Sequence, residues 1–309
     1  MIVGVDFGAP RRERDQRRKI VAVAAQALGG RSYRVDGSGM NARLWADAAP
    51  GWSARELVDV LLARPARVVG FDFPFGVPHA LLCEPRFAAD VGHDDGAFLG
   101  WRAFNAWVAQ RLPFTDPLDF TPFAAWRAPH ERARLWARRA TDVAASAQPP
   151  LKDLFQSTFQ MTLLGNAVLA RLWESRRYRV LPFPGGDGEG EVIEVYPGAT
   201  LRRMGLVGYK VRPGEALRVV VAACAAAGIH VEIDARILAL ACRYDSGSSR
   251  ATDYDVADAL VALCTAILHA EGACLPVVAP DPVGDQPDLR SAEGAIWVPV
   301  ARFCGDRLR

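Results

Sequence analysis

Two short stretches, MIVGVDF at residues 1–7 and ARVVGFDF at residues 66–73, limit what this chain can become. Both are apolar at nearly every position instead of every second one. That pattern fits strands buried on both faces, as in a sheet covered by helices on its two sides. Each stretch then delivers an aspartate to an exit rich in glycine and proline: Asp6 ahead of Gly8 and Pro10, Asp72 ahead of PFGVP at residues 74–78. Such exits are where α/β proteins place their sites. A carboxylate at the end of a buried strand is costly unless something uses it, which makes Asp6 and Asp72 candidate functional residues.

A third acidic feature lies late in the chain, DYDVADALVALCTAILHA at residues 253–270. After Asp258 the run is as apolar as a buried helix. Residues three apart on a helix share a face, so Asp255 and Asp258 point the same way, with Thr252 or Asp253 as the expected N-cap. Acidic residues complement a helix N-terminus, which accounts for Asp253 and offers one account of Asp255. Asp258 lies beyond the first turn and leads into the apolar stripe, so its charge needs water, a partner or a metal.

With 309 residues, half of them hydrophobic and 23% charged, the chain can bury a large core as one elaborated domain or two. A net charge of +2 announces no global polycation, so any affinity for nucleic acid must be local. Of the 37 basic residues only Lys19, Lys152 and Lys210 are lysines, a skew that by itself says little about function. The six cysteines form no C-x-x-C pair and show no metal-ligand spacing with the five histidines, which argues against zinc and for a reducing cytoplasm. No signal peptide and no membrane-spanning run is expected.

Between these features, RRERDQRRK at residues 11–19 reads as a hairpin loop into a strand at residues 20–28, with a third strand near residues 32–36. Ser53 caps a helix over residues 54–64. Residues 89–179 turn helical, aromatic and arginine-rich and read as a helical insertion between two parts of a core, 1–88 and 180–309. Its basic stretches at 127–139 and 171–179, with Trp101, Phe104, Trp107, Trp126, Trp136 and Trp173, are a candidate groove for a polyanion. Residues 178–183 and 191–196 read as strands, the second carrying Glu194 in EVIEVYP. Helices are expected at 214–227 and 235–242, a surface loop at 276–292, and a last strand at 293–300. The glycine-rich GGDGEG at residues 185–190 lacks the following helix and lysine of a phosphate-binding loop.

This order of elements is the layout of an α/β ribonuclease H-like fold: a mixed sheet flanked by helices, with a large helical insertion. GVDFG at residues 4–8 and DVADAL at 255–260 resemble the first-strand and last-helix motifs of Holliday junction resolvases. The closer resemblance is to domain-of-unknown-function family 429, described as predicted nucleases of that fold. It rests on GFDFPFGVP at 70–78, EVYP at 194–197, the helix carrying Asp258 and EGAIWVP at 293–299.

The resemblance implies a metal-dependent nuclease hydrolysing the phosphodiester bonds of DNA or RNA. Two Mg²⁺ or Mn²⁺ ions about 3.5–4 Å apart activate water and neutralise the leaving oxygen in such sites, and hard cations of this kind take oxygen ligands. Asp6 is then expected to bridge the metals, with Asp72 and Asp258 completing the pair and Asp255 as auxiliary ligand. Glu194 or Lys152 would position the water or the scissile phosphate. Two alternatives remain open: a noncatalytic nucleic-acid-binding or scaffold protein on the same fold, and a sugar-kinase-like ATPase starting at D-x-G of residues 6–8. No Thr or Ser follows Gly8 to hold phosphate in the latter.

Overall fold

Alternation along the first strand sets the architecture. In β1 (Ile2–Phe7), Val3, Val5 and Phe7 enter one hydrophobic cluster while Ile2 enters another on the opposite face. Gly4 and Asp6 therefore share the face of Ile2, because successive side chains of a strand alternate. The chain turns through a short helix, Glu13–Gln16, into β2 (Ile20–Gly29), antiparallel to β1, and on to β3 (Ser32–Val35). The connection expected as a plain hairpin loop is thus partly helical, pinned by buried Gln16, whose amide donates to Pro10 O and accepts from Ala54 N.

The computed structural model describes residues 1–36, 52–91, 100–128, 135–153, 158–208, 210, 212–242, 252–277 and 293–300. Side chains are not described for Ala88, Val91 and residues 252–254, so the cap expected at Thr252 or Asp253 lies outside the described residues, as does most of the loop expected at 276–292. The helix Ala54–Ala63 starts on Ser53, whose hydroxyl accepts from Glu56 N while Glu56 accepts from Ser53 N, a complete capping box. β4 (Val68–Asp72) then returns parallel to β1.

β5 (Tyr178–Val180), β6 (Gly190–Val195), β7 (His230–Ile233), β8 (Cys274–Val277) and β9 (Ile296–Pro299) complete the set. Among the described residues one mixed sheet runs in the order β7-β3-β2-β1-β4-β6-β9-β8, with β5 also paired to β6. Two strands escape the sequence pattern. β7 is four residues long with only Val231 buried, and β8 carries Pro276, which is tolerated because β8 lies at the sheet's edge.

Helices cover both faces, giving an α/β protein. Trp101–Arg111 and Phe159–Glu174 pack with Val3, Val5, Val69 and Phe71 on one side. Pro213–Ala226 and Thr252–Ala270 pack with Ile2, Val68 and Ile193 on the other. The aromatic helical segment thus shares one cluster with the sheet. Phe73 lies against Gly165, where a Cβ would stand 2.4 Å from the Phe73 ring. Trp101, Phe104, Trp107 and Trp126 are buried there, which corrects the expectation that they are available to stack on bases; Trp136 and Trp173 are partly buried against the same cluster. No described helix is long and apolar enough to cross a membrane.

Candidate functional site

Register brings the first two carboxylates together. In the parallel pair β1–β4, Gly4 is the Cα partner of Gly70 and Asp6 of Asp72. Neighbouring strands lie about 4.8 Å apart, so partnered side chains on one face stand side by side. Both aspartates fall at the C-terminal ends of their strands.

The third carboxylate arrives on the helix Thr252–Ala270, which crosses this face at backbone distance. A Cβ on Gly4 would stand 2.1 Å from Leu263 N and 2.5 Å from Ala259 O, and one on Gly70 would stand 3.1 Å from Ala262 O. Only glycine at position 4 allows so close an approach. From Leu263 back to Asp258 the helix travels about 7.5 Å, and from Gly4 to Asp6 the strand advances about 6.7 Å. Helix and strand run in opposite senses, so docking at Gly4 places Asp258 over Asp6 and Asp72. One carboxylate oxygen from each of the three lies within 4.8 Å of the others.

Asp6 and Asp72 keep part of their surface open while Asp258 is buried. Burial raises the Asp6 carboxyl well above its ordinary value, with the charges of Asp258, Asp255 and Asp72 adding to the shift and Lys210 opposing it. Asp72 is raised in the same way, by burial first and then by Asp258, again against Lys210. Burial alone would lower the Lys210 ammonium, but the nearby carboxylates hold it above its ordinary value. Its Nζ stands 3.9 Å from Asp258 Oδ2.

The remaining candidates are placed around this cluster. Asp255 accepts from Lys19 Nζ at 3.3 Å, and its charge reaches Asp6. Lys152 donates to Gln148 Oε1 at 2.9 Å, and Gln148 lines a cavity of about 70 Å³ together with Asp72 and Tyr196.

Glu194 lines the same cavity, but its oxygens are engaged elsewhere. Arg139 donates to them at 2.7 and 2.5 Å, and Phe75 N adds a bond of 2.9 Å. Arg139 also forks onto Asp142 and bonds Glu293 O, so its five N–H groups are all used in complete burial. Burial still raises the Glu194 carboxyl, against the lowering by Arg139. The Glu293 side chain closes the network, accepting from His79 N at 2.6 Å and Ala140 N at 2.7 Å. Glu194 thus fixes the turn that follows Asp72.

The sequence profile of a family described as "Protein of unknown function (DUF429)" matches residues 4–283. The chain belongs to that family. The matched span of this DUF429 protein includes Asp6, Asp72 and Asp258. No curated protein and no solved structure matches the chain.

In this DUF429 protein the residues that sequence reasoning passed over are Lys19, Lys210, Arg139, Asp142 and the buried carboxylate of Glu293. Arg139 stood in a stretch judged only by its total charge. The signal available was Glu194, an acid within a buried strand that required a buried cation somewhere in the chain. Nothing in the spacing said that the cation lay in the helical segment.

Proposed function

We propose that this protein is a divalent-metal-dependent hydrolase of phosphodiesters, a nuclease on a ribonuclease H-like sheet. The observation that carries the reading is the convergence of Asp6, Asp72 and Asp258, with an oxygen of each within 4.8 Å of the others. Burial and the mutual repulsion of the three carboxylates raise the acids of Asp6 and Asp72, a cost that a cation at their centre removes. The strand sequence β3-β2-β1-β4-β6, in which β2 alone runs antiparallel to the other strands, supports the fold assignment.

The donor set fits Mg²⁺ or Mn²⁺, since it offers hard oxygens and neither thiolate nor imidazole. Asp6, Asp72 and Asp258 would hold the metal, with Asp255 as auxiliary. Bound there, such ions supply a hydroxide at neutral pH and neutralise charge on the leaving oxygen. The chain itself orients the carboxylates: strand register fixes Asp6 against Asp72, the Gly4 contact fixes the height of Asp258, and the Glu194–Arg139 pair holds the turn after Asp72. The open sides of Asp6 and Asp72 admit water and substrate.

The test is incubation with single-stranded, duplex, hybrid and branched nucleic acids in the presence of Mn²⁺. Cleavage that requires both the metal and Asp6 is expected. Salt-dependent binding without cleavage, indifferent to Asp6→Asn and Asp258→Asn, would overturn the assignment in favour of a noncatalytic nucleic-acid-binding protein.

A further inference from the structure

We infer that the cavity beside Asp72 is a subsite for a sugar hydroxyl of the substrate, and that Tyr196, with Gln148, binds it. The inference rests on the hydrolase reading and deepens it by naming what lies next to the scissile phosphate.

The position follows from register. Phe71 is the Cα partner of Glu194, so Asp72 and Tyr196 leave neighbouring strand ends one residue out of step. Both line a cavity of about 70 Å³. A phosphodiester held at Asp72 therefore brings its adjoining sugar to the mouth of this cavity.

Size and charge then select the occupant. Liquid water takes about 30 Å³ per molecule, and benzene binds in an apolar cavity of about 150 Å³, so the space suits the edge of a sugar and not a base. Phe73, Met161, Val195 and Ile296 make much of the wall apolar. Arg139, the cation among the lining residues, spends its five N–H groups on Asp142, Glu194 and Glu293 O, and the Thr158 hydroxyl donates to Pro149 O. With no cationic donor to spare and the Asp72 carboxylate at its side, the cavity repels a phosphate and accepts a neutral polar group.

Two polar groups are left to meet it. Gln148 Oε1 is taken by Lys152 Nζ, but neither Gln148 Nε2 nor the Tyr196 hydroxyl has a hydrogen-bond partner among the described residues. Tyr196 is nevertheless held in place. A Cβ on Gly198 would stand 2.9 Å from Tyr196 Cζ and 3.0 Å from its hydroxyl oxygen, so the glycine makes room for the phenol. Arg202 lies over the ring, 5.3 Å from its centroid, and is itself tied to Ala145 O. A fixed hydroxyl without an internal partner is a preorganised contact for a ligand. In a nucleic acid the matching group is the 2′-hydroxyl of a ribose or the 3′-hydroxyl of a strand end.

The experiment compares wild type, Tyr196→Phe and Gln148→Leu by binding of fluorescent oligonucleotides of one sequence in Ca²⁺, with calorimetric Mn²⁺ titration and thermal melts alongside. Three strands are used: RNA ending in a 3′-phosphate, DNA ending in a 3′-phosphate and DNA ending in a 3′-hydroxyl. Wild type is expected to bind the RNA, or the DNA with a free end, about fivefold more tightly than the blocked DNA. The first result assigns the 2′-hydroxyl and the second the strand end. Tyr196→Phe should remove that preference while blocked-DNA affinity, Mn²⁺ affinity and Tm stay as in wild type, and Gln148→Leu should reduce it. Equal binding of the three strands by wild type, or a Tyr196→Phe variant that keeps the preference or weakens all strands alike, overturns the inference and leaves the hydrolase reading standing. A wild type that binds no Mn²⁺ removes both.

Discussion

Gly4 lies so close to Leu263 that a Cβ built on the glycine would stand 2.1 Å from the Leu263 amide nitrogen. The obstructing atoms are helix backbone, which cannot swing aside as a side-chain end can. Gly4→Ala must therefore lift the helix, at a cost of about 1–3 kcal/mol for overpacking. Because Asp258 rides on that helix, the same variant should lose its Mn²⁺-induced rise in Tm. Thermal melts with and without metal measure both effects.

Asp72→Asn is expected to stabilise the metal-free protein at neutral pH. A carboxyl whose pKa is raised by folding binds its proton more tightly in the folded state. Its contribution is fully present below the ordinary value of 3.8 and is lost as pH climbs through the raised value. Asp6 acts in the same direction. In EDTA at pH 7 the asparagine variant should gain roughly 1 kcal/mol, about 1–2 °C in Tm for a chain of this length. The gain should shrink as pH falls toward 3.8, where the wild-type acid is itself protonated.

Metal should reverse that ranking. Mn²⁺ at a hundredfold excess over its dissociation constant adds about 2.7 kcal/mol to a protein that binds it only when folded. Asp258→Asn and Asp6→Asn should show little of this gain. A melt shift as large as wild type in either variant would place the ion elsewhere.

Glu194→Gln separates a strut from a ligand. The variant should lower stability through the lost ion pair with Arg139 while keeping the Mn²⁺-induced shift. Arg139→Met should be more damaging, about 3–5 kcal/mol, because it leaves Asp142 and Glu194 buried without their cation. Adding Glu194→Gln to Arg139→Met should recover part of the loss. Denaturant unfolding of the single and double variants reads the coupling.

The strands bearing Asp6 and Asp72 were legible because burial on both faces writes itself into consecutive residues. Asp258 was legible because an acid beyond the first turn of an apolar helix is out of place. What spacing could not supply was contact between distant segments. Nothing in the spacing of Gly4 and Gly70 distinguishes them from ordinary strand residues, although the helix lies on both, and the cation for Glu194 belongs to an arginine-rich stretch whose composition fits a solvated face equally well. The tryptophans were misread for a related reason: a helix rich in both arginine and aromatics has the same composition whether the rings face a ligand or a core. Here Trp101, Trp107 and Trp126 face the core.

The docking of the closing helix on Gly4 also orders events during synthesis. Asp6 and Asp72 leave the ribosome early, whereas the segment carrying Asp258 follows most of the chain. Until it emerges, β1 and β4 lack the cover that their glycine face is shaped for, and the pair of aspartates has no third member. A nascent chain, or one truncated ahead of Thr252, therefore exposes a bare apolar sheet face and an incomplete acidic pair, a species for chaperones and proteases to recognise before it can act on anything.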